Sequence, residues 1–281
     1  MHLPNTRHLC QDVWGNKKRY DYQTYFTPFS VGNPYKGIRE RCLGCKTCYM
    51  HFLPGGLGRE PEPFKKIFPE IRRGIEKGRA ELVTDLIEPF LNIKVAPLII
   101  KIHRELPEAR FNLITKLPLI AKRVLIQFPE LQDVPYHFQV TTVKDGSPMP
   151  DIVSHVEDLL TVAKSVSCRV DPFVFGVSNL HGFLNHIRDL AKIGVKRITT
   201  NTMKLYRGQR KLLPDLDLNV YSDGDTAGSA RLVNADVEYE YFKAISKQCK
   251  RYDVALGICM SRPQVRIFET APCEGIALDE Y

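Results

Sequence analysis

No apolar run in this sequence approaches the ~20 residues that a membrane helix needs, and Met1 to Tyr20 carries no signal-peptide core. Both absences predict a cytoplasmic protein. No internal repeat and no low-complexity tract occurs, so the chain reads as ordinary globular sequence. The eight histidines are scattered without ligand spacing and receive no role. Between positions 49 and 167 there is no cysteine at all. A secreted disulfide framework is not expected of a chain with this distribution.

What the chain does have is ordinary bulk and a modest basic excess. Hydrophobic residues make up 43% and charged residues 26%, values at which 281 residues can bury a sizeable core. No linker divides the sequence, which predicts a single domain with its core over about 23–260 and an irregular tail at 261–281. The net charge of +8 favours polyanions without being a nucleic-acid signature. Basic residues gather at Lys17-Lys18-Arg19, Lys65-Lys66 with Arg72-Arg73, Lys122-Arg123, Lys204 to Lys211 and Lys250-Arg251. Each cluster alone reads as a solvated face.

Three cysteines, Cys42, Cys45 and Cys48, stand at two-residue intervals and are followed at once by Tyr49. Three thiolates this close can converge on one metal centre, and soft sulfur selects zinc or an iron–sulfur cluster. A cubane held by three cysteines leaves one iron open. With His51 as a fourth ligand the same run would be a structural zinc site, and the protein a non-catalytic, zinc-stabilised nucleic-acid-binding module.

Short apolar runs alternate with amphipathic segments, the pattern of βα units around a parallel sheet. Strands are expected at Gln23 to Val31, Ala80 to Thr84, Arg110 to Thr115, His137 to Thr142, Ser167 to Val170, Val195 to Thr200 and Ala255 to Met260. Helices are expected at Pro63 to Lys77, Val95 to Leu106, Pro118 to Gln127, Pro150 to Ser165, Leu180 to Ile193 and Val237 to Tyr252. Six strand–helix steps are fewer than the eight of a closed barrel, so one side is expected to stand open for a large substrate. Arg207 to Gly228 reads as an exposed loop or lid.

Several segments resemble the radical S-adenosylmethionine (SAM) superfamily, and more narrowly the enzymes related to spore photoproduct lyase. Asn33-Pro34-Tyr35-Lys36-Gly37 and Cys45-x-x-Cys48-Tyr49 match the start and close of that family's cluster loop. Val83-Thr84-Asp85 with Pro89, Ile114-Thr115-Lys116 with Pro118, and Arg169-x-Asp171-Pro172 match later segments in order. Two features depart from the family. Its ligands are usually spaced Cys-x3-Cys-x2-Cys, and Ile38 stands where its first cysteine normally follows the glycine, so either the loop is slipped around Cys42 or the cluster is held differently. Its hydrogen-donating cysteine has no counterpart before mid-barrel.

The resemblance implies a partial (β/α)6 TIM-like barrel of the radical SAM type. It implies a [4Fe–4S] cluster on Cys42, Cys45 and Cys48, SAM as cofactor, and an external electron donor of flavodoxin or ferredoxin type. Tyr49 would lie beside the adenine, and Thr84 and Asp85 would accept from the SAM ammonium, unless Asp85 only caps the next helix. Thr115, Lys116, Gln139 and Arg169 stand at later strand ends, where Lys116 or Arg169 would pair with the SAM carboxylate. Cys168, Cys259 and Cys273 are the candidate hydrogen donors, or else buried small hydrophobes. Strand alternation lets only one of Cys168 and Arg169 face the lumen. The implied reaction is abstraction of hydrogen from a thymine-derived base in DNA, for modification, isomerisation or lesion repair, with Arg207, Arg210 and Lys211 gripping phosphates. A small molecule or peptide is the alternative substrate.

Overall fold

The computed structural model describes residues 22–26, 46–47, 64–76, 80–85, 88–91, 94–206, 209–227, 230–259, 261–271 and 273. Strand–helix alternation organises them. In chain order the elements are β1 (Tyr22–Phe26), α1 (Phe64–Glu76), β2 (Ala80–Asp85), α2 (Val95–Glu105), β3 (Arg110–Thr115), α3 (Pro118–Gln127) and β4 (Tyr136–Thr141). A two-stranded hairpin, β5 (Val143–Lys144) with β6 (Ser147–Pro148), leads to α4 (Ile152–Leu160), β7 (Val166–Phe173), α5 (Leu180–Lys192) and β8 (Arg197–Thr202). Then come β9 (Leu205–Tyr206), β10 (Tyr221–Ala227), β11 (Ala230–Val233), α6 (Ala235–Arg251) and β12 (Ala255–Ile258).

Seven strands form one sheet in the order β1-β2-β3-β4-β7-β8-β12, and every neighbouring pair is parallel. Because strand order follows chain order, each crossover helix packs on the same outer face, and the sheet is that of a partial barrel. The outer face is apolar. Phe111, Leu113, Phe138, Val140, Cys168, Val170 and Ile198 are buried there with Ile99 and Ile102 of α2, Val156 and Leu159 of α4, and Phe183 and Ile187 of α5. Aromatic edges tie the layers: Phe173 meets Phe183 at 5.0 Å and Tyr241 of α6 at 4.6 Å between ring centroids. Helix ends follow local chemistry. Asn179 caps α5 by accepting from the Gly182 N–H at 3.1 Å, and Asn234 caps α6 by accepting from the Asp236 N–H at 3.0 Å. Gly194, at φ +98°, takes the left-handed turn that lets the chain leave α5 for β8.

Two expectations are corrected. Arg207 to Gly228 is not simply an exposed loop: β10 joins β11 and β9 in a three-stranded antiparallel sheet. Leu213, Leu216 and Tyr221 are buried against Val174, Met203, Leu205 and Val233, so this segment owns a second apolar cluster. Its Arg210, Lys211 and Leu212 do stay exposed. The tail after β12 is also part of the fold. Pro263–Phe268 forms a 3-10 helix, and Thr270 and Ala271 then donate backbone N–H groups to the Leu256 carbonyl at 2.8 and 3.1 Å. Leu256 N–H donates to Thr270 Oγ1 at 2.8 Å. The returning chain thus satisfies the outer hydrogen-bonding edge of β12, which an open barrel would leave exposed. No helix among the described residues is long and apolar enough to cross a membrane.

Candidate functional site

Since the outer face of the sheet is apolar, the alternate residues point inward, and several of them are polar. Asn112 of β3, Gln139 of β4, Arg169 of β7 and Thr199 of β8 line one level of the lumen. Gln139 ties them together: its Oε1 accepts from Asn112 Nδ2 at 3.4 Å and Arg169 Nη1 at 3.3 Å. Its Nε2 donates to the carbonyl of Cys273 at 2.6 Å, and Thr199 Oγ1 donates to the same carbonyl at 2.7 Å. The tail that covers β12 therefore ends inside the barrel.

Arg169 resolves the alternation between itself and Cys168. The guanidinium faces the lumen and grips Asp171 twice, Nη2 to Oδ2 at 2.6 Å and Nε to Oδ1 at 3.3 Å. Burial opposes its charge, and Asp171 followed by Cys259 more than offsets that, so its basicity rises overall. Cys168 packs on the outer face at 0% exposure, where burial pushes its thiol well above the usual range. It is remote from lumen chemistry. Cys259 is a buried free thiol just past β12, near enough to Arg169 to influence its basicity. Cys273, another of the candidate hydrogen donors, is disulfide-bonded, and in that state it has no S–H to give.

At the end of β3 a carboxylate that the sequence reading passed over takes charge. Glu88 accepts from Thr115 Oγ1 at 2.6 Å and from the Lys116 N–H at 2.7 Å, while Thr115 Oγ1 accepts from the Leu117 N–H at 2.9 Å. Burial raises the Glu88 pKa, with Thr115 and Lys116 pulling the other way. Thr115 and the Lys116 backbone are thus spent on Glu88, and the loop after β3 is held rigid. Thr84 and Asp85 end β2, and their side chains lie outside the described residues. So do Cys42, Cys45, Cys48 and Tyr49. Among the described residues no group of three or more His, Cys, Asp or Glu side chains is placed to hold a metal ion.

One residue of the cysteine motif is described. Thr47, between Cys45 and Cys48 in the chain, donates its N–H to Asp145 Oδ1 at 3.1 Å and its Oγ1 is 3.5 Å from the same oxygen. Its carbonyl accepts from Gln209 Nε2 at 3.2 Å. Asp145 turns the β5–β6 hairpin that follows β4, and Gln209, fully buried, follows β9. Both lie beyond C-terminal strand ends, the face on which barrel active sites are built. Neither was legible in the sequence, because each matters only for what the fold brings to it.

The lumen also holds unspent capacity. Asn112 Oδ1 and Asn201 Oδ1 are buried acceptors without a hydrogen-bond partner. A buried acceptor left unmade costs about 1–3 kcal/mol, so the pair fits a ligand rich in N–H donors.

No protein-family model and no curated protein matches the sequence. Solved structures do. Spore photoproduct lyase, in a cysteine-to-alanine variant with dinucleoside spore photoproduct, aligns with a TM-score of 0.59 over 88% of this chain and 79% of that one, at 12% identity. A tyrosine-to-phenylalanine variant of the same enzyme aligns at 0.58 over the same shares, also at 12%. The fold is that of spore photoproduct lyase. At this identity the likeness speaks to architecture: the partial barrel expected from the sequence is the architecture present. Streptococcus suis SuiB gives a TM-score of 0.49 over 79% of this chain and 47% of that one, too low to argue from.

Proposed function

We propose that this chain is a radical SAM enzyme whose substrate is a thymine-derived base in DNA. The observation that carries the reading is Thr47, held from both sides beyond the C-terminal strand ends by Asp145 and Gln209. Because Thr47 directly precedes Cys48, a [4Fe–4S] cluster on Cys42, Cys45 and Cys48 would stand over a lumen lined by Asn112, Gln139, Arg169 and Thr199. When bound and reduced, such a cluster supplies one-electron cleavage of SAM to methionine and a 5′-deoxyadenosyl radical, which removes hydrogen from unactivated carbon.

The protein's own residues hold, orient and exclude water. Asn112 and Gln139 present amides to the ligand, the Arg169–Asp171 pair fixes a guanidinium beside it, and the Cys273 segment blocks solvent from the β12 side. Cys259, the free thiol near Arg169, would give a hydrogen atom to the substrate in a lyase-like reaction, and its sulfur would regain that hydrogen as one electron from the external donor and one proton; without such a thiol the reaction would be an isomerisation. DNA as partner rests on the basic excess and on exposed Arg210 and Lys211. A duplex base would have to be flipped into the lumen. Closure of the β12 edge by the tail favours a second reading, a small molecule or peptide as substrate. A zinc module is disfavoured because such modules need no seven-stranded scaffold.

Anaerobic reconstitution with iron and sulfide tests the proposal. About four irons per chain and SAM-dependent release of 5′-deoxyadenosine are expected. A colourless protein retaining one tightly bound zinc would end it.

A further inference from the structure

The C-terminal rim of β7, β8 and β12 carries two ion pairs that close on themselves. Arg169 and Asp171 meet at 2.6 Å, with side chains 14% and 9% exposed. Arg262 and Glu238 meet at 3.0 Å, with side chains 6% and 4% exposed. Glu238 also accepts from Thr202 Oγ1 at 3.2 Å, and Arg262 bonds the Val233 carbonyl. Each pair neutralises its own charge.

Between them stands Lys204. It is 8% exposed, and it has neither a hydrogen-bond acceptor nor an ion-pair partner among the described residues. Its low exposure turns it into the rim rather than out to solvent, within electrostatic reach of Glu238, Asp171 and Arg169. The sequence grouped Lys204 with the basic run to Lys211, a solvated face; the fold buries it instead. A buried cation costs several kcal/mol unless it is paired. Among the described residues the rim of β7, β8 and β12 therefore holds one cation in excess. A second orphan lies on the same strand line: Asn201 Oδ1, two residues beyond lumen-facing Thr199, is buried without a donor.

We propose that Lys204 is the receptor for a single oxyanion, the carboxylate or phosphodiester of a molecule bound in the lumen, with Asn201 taking a neighbouring N–H or O–H of the same molecule. An anion of charge −1 completes the neutrality that the two resident pairs leave unfinished. The divided role follows: Arg169, committed to Asp171, orients, while Lys204 is the cation reserved for the ligand. Burial, the largest influence on Lys204, lowers its pKa, and an arriving anion restores the protonated form. The receptor needs no cluster and does not rest on the radical reading.

The test uses the full chain with acetate and dimethyl phosphate as carboxylate and phosphodiester probes. Thermal unfolding of the wild type is expected to shift upward by about 2 °C or more as either probe is added, by linkage. Lys204→Arg should keep the shift and Lys204→Met should lose it, with Lys204→Gln as the alternative if Met does not fold. An equal shift in Lys204→Met or Lys204→Gln, or none in the wild type, overturns the proposal. Equilibrium dialysis then names the source. About a tenfold weaker binding of SAM by Lys204→Gln, with decarboxylated SAM unaffected, assigns the methionine carboxylate. The same contrast between thymidylyl-thymidine and thymidine assigns a phosphodiester. A protein that binds acetate through Lys204 yet takes up no iron would keep the receptor and lose the radical reading.

Discussion

His137, the second residue of β4, is buried, with Nδ1 2.7 Å from Ser165 Oγ and Nε2 2.7 Å from Ser167 Oγ. Burial, with Arg197 adding to it, lowers its pKa from 6.5 to about 3. Half a core away, His186 sits 2.9 Å from Thr142 Oγ1, and burial lowers its pKa to about 4 against a partial offset from Asp189. A depressed histidine stays neutral when folded and takes up a proton when unfolded. Its stabilisation is therefore complete above pH 6.5 and is lost as pH falls toward the folded value. Across pH 6.5 to 3 the His137 shift corresponds to roughly 4–5 kcal/mol, as an upper order of magnitude. Urea melts at pH 7 and pH 4.5 should differ by a few kcal/mol, and His137→Gln should flatten that slope; an unchanged slope would place the acid sensitivity elsewhere. At the same scale Asp171→Asn leaves the Arg169 guanidinium buried without its counter-ion and is expected to cost about 3 kcal/mol in denaturant melts. A loss below 0.5 kcal/mol would mean that Gln139 and Cys259 suffice to hold it.

Elements act here through their connections. The β5–β6 turn needs two left-handed residues, Asp145 at φ +52° and Gly146 at φ +82°, and so aims the Asp145 carboxylate at Thr47. Gln209 reaches the other side of Thr47 while also accepting from the Tyr206 N–H at 2.9 Å, so β9 and the cysteine motif share one side chain. Asp145→Ala with Gln209→Ala should leave unfolding of the barrel within about 4 kcal/mol of wild type, since four hydrogen bonds at a net of about 1 kcal/mol each are lost. The iron retained after reconstitution and gel filtration should fall severalfold. Full iron retention in the double variant would detach Thr47 from the metal site. Gly176 fixes a different joint. It has φ +88°, and an added Cβ would lie 2.3 Å from the Asp215 carbonyl oxygen and 2.5 Å from the Asp217 nitrogen. Gly176→Ala must therefore push the 213–218 segment off its apolar cluster, and about 2 kcal/mol or more of destabilisation is expected in the melt.

For the molecule as a whole, the question is what reaches the lumen. Among the described residues the barrel has seven strands, and residues 269–271 finish the β12 edge while Cys273 O occupies the inner level between Gln139 and Thr199. Thr47 and exposed Arg210 and Lys211 lie beyond the C-terminal strand ends, the face from which barrel sites are reached. If those cations grip phosphates, binding of a thymine-rich oligonucleotide should weaken about tenfold or more between 50 and 200 mM salt. Arg210→Ala with Lys211→Ala should lower the salt slope by about 2. Salt-independent binding, or an unaltered slope, would leave the basic excess as solvation and favour the small-molecule reading.

The sequence by itself carried the periodic information. Arg110–Thr115 and Pro118–Gln127 coincide with their expected bounds, and most other barrel strands and helices fall within about three residues, because alternation and 3.6-residue spacing are written locally; α4 ends at Leu160 rather than Ser165, and the 27–31 end of the first expected strand lies outside the described residues. Arg169 facing the lumen was half legible, as one of two alternating neighbours. Tertiary structure decided what depends on distant partners. Thr115 answers to Glu88, Thr47 to Asp145 and Gln209, and the tail from Glu269 to Cys273 is ordered by the edge of β12 and not by any period of its own. Lys204 shows the division most plainly. Nothing in Thr202-Met203-Lys204-Leu205 separates a solvated lysine from a buried one, since the burial comes from β7, β12 and α6, which converge on it only when the barrel curls.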